Sequence, residues 1–531
     1  MTTVRDAVFD VLRDLGVTRM FANPGSTEVA FLTDLTPDIE FLLALHEGAV
    51  VGMATGEAIA TGRPALTLLH TTAGYGNAVG AIATARANRA PMVILVGQQD
   101  RRHLASEPFL AGRLHGLAGD YPVSVREPAR AQDLPAIIAR AFHDAAVHRG
   151  PAVVIVPMGD WHEPADDTVD LAAAGELLVS GGADAAVVAR LGALLDGAAR
   201  PALVVGSSTD QPETWDAVAA LAARLGCDVW AEAHAARAGF DQTSPQWAGH
   251  LPAERGSLRK TLAPYDVVLV IGGPAFRQYL WSAGRFVCEH TTVAVLTDDP
   301  DEAAYSAAQL SVLGPVRATV AALADTVTER TPTASDATAR PAPASPLSPL
   351  SDGEPLTPAH VFGALHARLP EVATVIEESP STRRLLMDTM PARRPLGFLT
   401  PAQGGLGFAL AAATGLKIGR PDQPVVAVVG DGASLYNIQT LWSAARYGAG
   451  ALFVIMSNGG YAVMDRLAVN AGGTAPWPGF GEISVSTIAT GFGCPARRVT
   501  TYAELTALLD EVVPTLGSRR EPLLLDVAVT A

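Results

Sequence analysis

Residues 425–434 read VVAVVGDGAS, and residues 452–460 read LFVIMSNGG. Each begins as a strand-length run of mostly apolar, β-branched residues, breaks at glycine, and shows no alternation of apolar with polar positions. A strand that is apolar on both faces is one covered by helices on both sides, which is how a parallel sheet reads. The same grammar extends outward in both directions: a short apolar run, a Gly-rich turn, then an amphipathic stretch of helical length. It recurs at 374–378 and 523–529, with a helix expected over 358–368. Further upstream it is found at 202–206, 228–231, 266–271 and 291–296. At the start of the chain it occurs at 17–22, 41–45, 65–70, 92–97 and 152–157, with helical stretches at 2–15 and 129–146. Strands alternating with helices give βαβ units and doubly wound sheets.

Between the second and third sets lies TPTASDATARPAPASPLSPLSDGEPLTP (331–358), too rich in Pro, Ala, Ser and Thr to bury a core. It reads as an extended linker. The expectation is therefore an α/β protein of three doubly wound parallel-sheet domains in series. They span 1–165, 180–328 and 356–531, with the linker at 329–355. A chain of 531 residues, 49% of them hydrophobic, can bury that many cores. Asp and Glu number 54 against 38 Lys and Arg, so there is no basic stripe and no nucleic-acid partner is expected. No apolar run approaches the ~18 residues of a membrane span. The opening MTTVRDAVFD lacks the apolar core of a secretory leader. Cys227, Cys288 and Cys494 are scattered without metal-ligand spacing, which suits a reducing compartment. A cytoplasmic location is expected, with no membrane association.

Gly430-Asp431-Gly432 is followed, 27 positions after the Asp, by Asn458, and both groups sit just past the C-terminal end of an apolar run. Open α/β sheets hold their ligands at that edge. Glycines let backbone N–H groups approach a diphosphate, and the following helix presents its positive end. Asp431 offers a hard carboxylate and Asn458 a neutral carbonyl. With a backbone carbonyl and phosphate oxygens they would form an octahedral oxygen site for Mg²⁺. Gly-Asp-Gly alone could be no more than a tight turn. The pairing at two strand ends is what favours a ligand site.

With 24 residues between Gly432 and Ser457, the pattern resembles the signature of thiamine diphosphate enzymes. That signature closes on two asparagines; here Ser457 stands in the first place, while Asn458 keeps the second, metal-binding one. The resemblance adds the backbone carbonyl of Gly460 to the metal ligands. It also calls for a carboxylate against the cofactor's aminopyrimidine ring, and Glu47, which follows the run at 41–45, takes that part.

Further stretches carry the resemblance across nearly the whole chain: Asn23-Pro24-Gly25-Ser26, Leu69-His70-Thr71-Thr72-Ala73-Gly74, Gly97-Gln98-Gln99, Glu378-Ser379-Pro380-Ser381 and Gly404-Gly405-Leu406-Gly407-Phe408. In this order they are similar to the 2-keto acid decarboxylase and acetolactate synthase superfamily, and within it to benzoylformate decarboxylase and its close relatives. The resemblance implies that Ser26 binds the substrate carboxylate and that His70 transfers protons. It implies that Leu406 wedges the cofactor into its bent form, and that Ser381 and the backbone at Gly430 and Gly432 hold the diphosphate. Phe109, Leu110, Val463, Met464 and Leu467 would line an apolar substrate pocket.

Read without the family, Ser26 also suits a helix cap with Glu28 in the first turn, His70 a core histidine, Glu47 a helix-start acid and Leu406 ordinary core. All of them follow strands, where catalysis on such folds sits.

The chain departs from the family at the segment Val270-Ile271-Gly272-Gly273-Pro274-Ala275-Phe276-Arg277. The family places a second active-site histidine shortly after it; here Tyr279 occupies that place. A phenol donates a hydrogen bond but shuttles protons less readily than imidazole at neutral pH. His103, His115 and His234 are other histidines that could compensate, although a surface or packing role suits each.

The expected activity is non-oxidative decarboxylation of an aromatic or branched 2-keto acid to an aldehyde and CO2, a lyase reaction requiring thiamine diphosphate and Mg²⁺. A carboligase of acyloin or acetolactate type is the alternative. A non-catalytic nucleotide-binding paralogue is disfavoured because Glu47, His70, Asp431 and Asn458 occur together. The middle domain opens with Gly206-Ser207-Ser208-Thr209, not G-x-G-x-x-G, so FAD is not expected. The family also implies self-association as a homodimer or homotetramer, with Glu47 of one subunit facing the partner subunit's Asp431 and Asn458.

Overall fold

The computed structural model describes residues 2–166, 181–330, 350 and 353–530. The linker expected at 329–355 lies almost wholly outside the described residues. The chain builds three six-stranded sheets whose strand pairs are all parallel. The first contains β1 (Arg19–Asn23), β2 (Glu40–Leu43), β3 (Ala65–His70), β4 (Met92–Gln98), β5 (Ser124–Arg126) and β6 (Pro151–Pro157). The second contains β7 (Pro201–Val205), β8 (Asp228–Ala231), β9 (Trp247–His250), β10 (Val267–Ile271), β11 (Thr292–Thr297) and β12 (Leu310–Leu313). The third contains β13 (Thr374–Glu378), β14 (Phe398–Leu399), β15 (Val425–Gly430), β16 (Leu452–Ser457), β17 (Ala496–Val499) and β18 (Leu523–Ala528).

Sheet one runs β2-β1-β3-β4-β6-β5 and sheet three β14-β13-β15-β16-β18-β17, the same order twice. Sheet two runs β12-β11-β10-β7-β8-β9, the dinucleotide-fold order read from its far edge. Its topological switch point lies between β10 and β7. There the Gly206 amide donates to Ile271 O (2.9 Å) and the Ser208 amide to Gly272 O (3.0 Å). Amides that could face a phosphate are thus engaged with the neighbouring loop.

Every run expected from the sequence appears as a strand, with ends displaced by a residue or two. The strands not expected are β5, β9, β12, β14 and β17, and each stands at a sheet edge. An edge strand needs neither two apolar faces nor length: β12 alternates half-buried and exposed residues, and β14 has only 2 residues.

The domains pack closely within the chain. Helix Glu47–Thr61, apolar all round and almost wholly buried, crosses helix Ala409–Gly419 of the third domain. Glycines make the approach possible. A Cβ on Gly56 would lie 2.0 Å from Ala412 O, and one on Gly415 would lie 1.8 Å from Met53 O. Arg19 Nη1 reaches across to Ile418 O (3.0 Å) and pairs with Glu57 (3.1 Å). Between the first and second domains, buried Arg89 donates to Asp298 (2.8 Å) and pairs with Glu302 (2.7 Å). Among the described residues, no helix is long and apolar enough to cross a membrane.

Candidate active site

At the carboxyl end of the first sheet, β1 leads into the turn that carries Ser26, Thr27 and Glu28, and β3 ends on His70. Ser26 and Glu28 do not form the helix cap and first-turn acid that a local reading allows. The helix is Val29–Leu32 and has no side-chain cap. Glu28 instead folds back: its Oε2 lies 3.1 Å from His70 Nδ1 and accepts the Gly25 amide (2.8 Å). Thr27 Oγ1 donates to Glu28 Oε1 (2.5 Å) and lies 3.0 Å from His70 Nδ1.

The pair fits only because neighbouring backbone lacks side chains. A Cβ on Gly97 would lie 1.8 Å from Glu28 Oε1, and one on Gly25 would lie 2.3 Å from the His70 ring. Oxygen acceptors at Nδ1 assign the imidazole proton to that nitrogen, leaving the Nε2 lone pair for chemistry. Ser26 is exposed, and no hydrogen bond of its hydroxyl is found among the described residues.

Glu47 opens the helix that follows β2, where His46 Nδ1 caps the Gly48 amide (3.0 Å). The Glu47 carboxylate is buried. Its Oε1 accepts from Asn23 Nδ2 (3.0 Å) and its Oε2 from Asn77 Nδ2 (3.1 Å).

The third sheet supplies a separate group at its own carboxyl edge. Asp431 Oδ1 accepts the Gly432 amide (2.7 Å), and Oδ2 accepts those of Asn458 (3.0 Å) and Gly459 (2.7 Å). Burial pushes the Asp431 carboxyl above its ordinary value despite these bonds, with nearby Asp526 acting in the same direction. Asn458 Oδ1 accepts from the Gly460 amide (3.2 Å), and no donor to the Gly460 carbonyl is found among the described residues. Ser457 turns instead to the buried Asp526, which Arg498 also holds (2.5 Å). A cavity of about 290 Å³ opens here, lined by Asp431, Ser457, Asn458, Phe480 and Arg498 among others.

Ser381 Oγ accepts the Val463 amide (3.1 Å), so its hydroxyl proton remains free to be donated. Leu406 is half-buried in a turn held from both sides. Glu378 accepts the amides of Gly407 (2.5 Å), Phe408 (2.8 Å) and Ala409 (2.5 Å), and Asn437 donates to Gly407 O (2.6 Å). Burial pushes the Glu378 carboxyl up to about 8 against the pull of those amides.

The expected pocket residues are spread over three domains. Phe109, Tyr279 and Met464 are exposed, Leu110 takes φ 67°, and Val463 and Leu467 are half-buried. His115 pairs with Glu127 (2.6 Å), and His234, lowered to about 4 by burial and then by Arg277 and Arg383, stays neutral at physiological pH. Among the described residues, no hydrogen bond or ion pair joins Ser26, Glu47 or His70 to Asp431 or Asn458. Sequence reading missed the contacts of Glu28, Asn23, Asn77 and Glu378, because each depends on strands that are distant along the chain.

These donor sets match a thiamine diphosphate and Mg²⁺ pair. Asp431 is a buried carboxylate with no cationic side chain paired to it among the described residues, and Asp431 Oδ1, Asn458 Oδ1 and the Gly460 carbonyl each retain a lone pair. That hard oxygen set suits Mg²⁺ once phosphate oxygens complete it. Only one of these candidate groups is a carboxylate, and among the described residues there is no cluster of three or more His, Cys, Asp or Glu that could hold a metal ion.

Three family profiles match in series. They are the N-terminal TPP binding domain over residues 2–118, the central domain over 188–323 and the C-terminal TPP binding domain over 381–527 of thiamine pyrophosphate enzymes. The chain is 35% identical over 520 residues to a benzoylformate decarboxylase of Pseudomonas aeruginosa, covering 96% of each. It is 27% identical over 482 residues to an acetolactate synthase large subunit of Parasynechococcus marenigrum, covering 85% of this chain and 75% of that protein. Among solved structures, the thiamine diphosphate-dependent 4-hydroxybenzoylformate decarboxylase of Rhodococcus jostii superposes with a TM-score of 0.92 at 31% identity, over 100% of this chain and 99% of that one. With all three domains matched in order, and a relative of this identity aligned over almost its whole length, the chain belongs to the thiamine pyrophosphate enzymes, related to benzoylformate decarboxylase and to the acetolactate synthases.

Proposed function

We propose that this enzyme decarboxylates an aromatic or branched 2-keto acid of the benzoylformate kind to an aldehyde and CO2, without oxidation, using thiamine diphosphate and Mg²⁺. The observation that carries this reading is the His70–Glu28 pair at 3.1 Å with the free Ser26 hydroxyl in the same turn. Decarboxylation needs a group to seat the leaving carboxylate and a group to manage a proton at the adjacent carbon; the turn after β1 offers Ser26 for the first, and the end of β3, paired to that turn, offers His70 for the second.

Bound thiamine diphosphate supplies an electron sink for the carbon that loses CO2. Asp431, Asn458 and the Gly460 carbonyl would hold the metal. Ser381 and the backbone at Gly430 and Gly432 would hold the diphosphate, and Leu406 would support the cofactor. Glu47 would hold or release a proton at its carboxylate, against the cofactor's aminopyrimidine ring. Ser26 donates a hydrogen bond to the substrate carboxylate. Phe109, Leu110, Val463, Met464 and Leu467, exposed or half-buried in the single chain, would exclude water around it once a partner subunit covers them, which disfavours the ionised carboxylate relative to neutral CO2. His70, oriented by Glu28, moves the proton through Nε2. Tyr279 would offer a phenolic hydrogen bond at the place where the family resemblance calls for a histidine. The aromatic acids named for two relatives support an aromatic side chain.

Among the described residues no hydrogen bond or ion pair within one chain joins the two groups, and the family resemblance implies a shared site, so the working site is proposed to form between subunits. Glu47 then meets the partner subunit's Asp431 in a homodimer, two of which would make a homotetramer. A carboligase is the second reading, favoured by Tyr279 and by the acetolactate synthase relative. A phenol that protonates slowly leaves the intermediate open to a second carbonyl compound.

The test is CO2 release from benzoylformate, pyruvate and a branched 2-keto acid, with and without cofactor and Mg²⁺, and identification of the product by mass. Cofactor-dependent release with an aldehyde is the expected result. An acyloin product would establish the carboligase, and no release from any acid would overturn both readings.

A further inference from the structure

Glu47 is the one buried carboxylate at the edge of the first sheet that no cation and no backbone amide supports among the described residues. What holds it is two side-chain amides, one per oxygen: Asn23 at 3.0 Å and Asn77 at 3.1 Å. They come from different elements. Asn23 closes β1 and precedes Pro24, so its backbone is confined to the extended region and its side-chain direction is set. Asn77 lies on helix Thr71–Ala87, two turns beyond His70. Glu47 itself opens the helix after β2, with Gly74 against its Cγ (3.4 Å for a Cβ placed there). One strand end and two helices therefore converge on one carboxylate.

Resting on the function proposed above, we infer that Asn23 and Asn77 are positioning residues that make Glu47 a directional proton exchanger. A side-chain amide donates a hydrogen bond but neither takes up nor gives away a proton near neutral pH. The two amides therefore fix the plane of the carboxylate without competing for the proton it exchanges. A lysine or arginine in either place would neutralise the charge, and a histidine would offer a second home for the proton. Each oxygen keeps a lone pair outside the clamp, along a direction the clamp sets. General acid–base transfer depends on that alignment, so loosening the carboxylate slows exchange without loosening the cofactor.

The experiment compares Asn77→Ala, Asn23→Ala, Glu47→Gln, Glu47→Ala and the combination of Glu47→Ala with Asn77→Ala, each loaded with thiamine diphosphate and Mg²⁺. Two quantities are read without substrate: cofactor affinity from tryptophan fluorescence, and the rate at which the proton at C2 of the bound cofactor exchanges for deuterium, by NMR after acid quench. The expected result is an exchange rate lowered by ~10-fold or more in each Asn variant, with affinity nearly unchanged and no further loss from Asn77→Ala when Glu47 is already Ala. Should Glu47→Gln exchange as fast as the parent, the role given to Glu47 falls and the function proposed with it. Should Glu47→Gln be slow while the Asn variants are not, the clamp alone is overturned. An effect confined to affinity, or an equal further loss in the Glu47→Ala background, also overturns it. Asn77 is exposed on its helix, so its variant carries the test even where Asn23→Ala folds poorly.

Discussion

A single missing side chain decides whether the proton-handling pair can exist. Glu28 and His70 are 42 positions apart, and Gly97 is a third strand end that leaves room for the carboxylate between them. Gly97→Ala places a methyl group on top of Glu28 and forces it off Nδ1, while every proposed cofactor ligand stays in place. The expected outcome is a kcat lowered by ~10²-fold or more with cofactor affinity retained. Steady-state kinetics beside a cofactor titration checks it, and a kcat close to the parent's would mean that Glu28 does not govern His70. The individual residues were legible from the sequence where a local pattern marks them: Gly-Asp-Gly, Asn458, His70 and Glu47 all stand directly after apolar runs. Glu28 was visible only as a neighbour of Ser26, because nothing local distinguishes a helix-start acid from one that folds back onto a histidine.

Among elements, the seam between helix Glu47–Thr61 and helix Ala409–Gly419 ties the two cofactor-binding domains of one chain together, and it contains a titratable group. Burial raises the Glu57 carboxyl to about 7 from its ordinary 4.5, outweighing the attraction of Arg19. The folded chain then binds this proton at pH values where the unfolded chain has released it. Its contribution is fully present below about 4.5 and is lost as pH rises through about 7. Glu57→Gln removes that loss while keeping an acceptor for Arg19. The variant's melting temperature should gain on the parent's between about pH 5 and about pH 8, read by thermal melts in matched buffers. An equal difference at both pH values would show that Glu57 ionises normally. The strands of these sheets were legible wherever both faces are buried. The unexpected ones, β5, β9, β12, β14 and β17, are edges, and their pairing depends on a neighbour that lies elsewhere in the chain.

At the scale of the whole molecule, the first and third sheets share one strand order, and in the proposed function each offers half of a site. A complementation test follows from a site shared between subunits. Glu47→Gln and Asp431→Ala homodimers should each be inactive. Mixed dimers formed after dissociation and reassociation contain one site with both residues intact, so about a quarter of parental activity should return. No recovery, despite proven exchange of subunits, would place both halves in one chain. What the sequence by itself determined is the class of sheet and the number of domains, and it named the candidate groups at the strand ends. Doubly covered strands must be apolar throughout, and the tight turns that follow them are written in adjacent residues. Only the tertiary structure decided the repeated strand order, the glycine-lined helix seam, the amide clamp on Glu47 and the Glu28–His70 pair. Each of these brings together residues from separate elements, and the packing of the backbone, not the spacing of the chain, sets which of them meet.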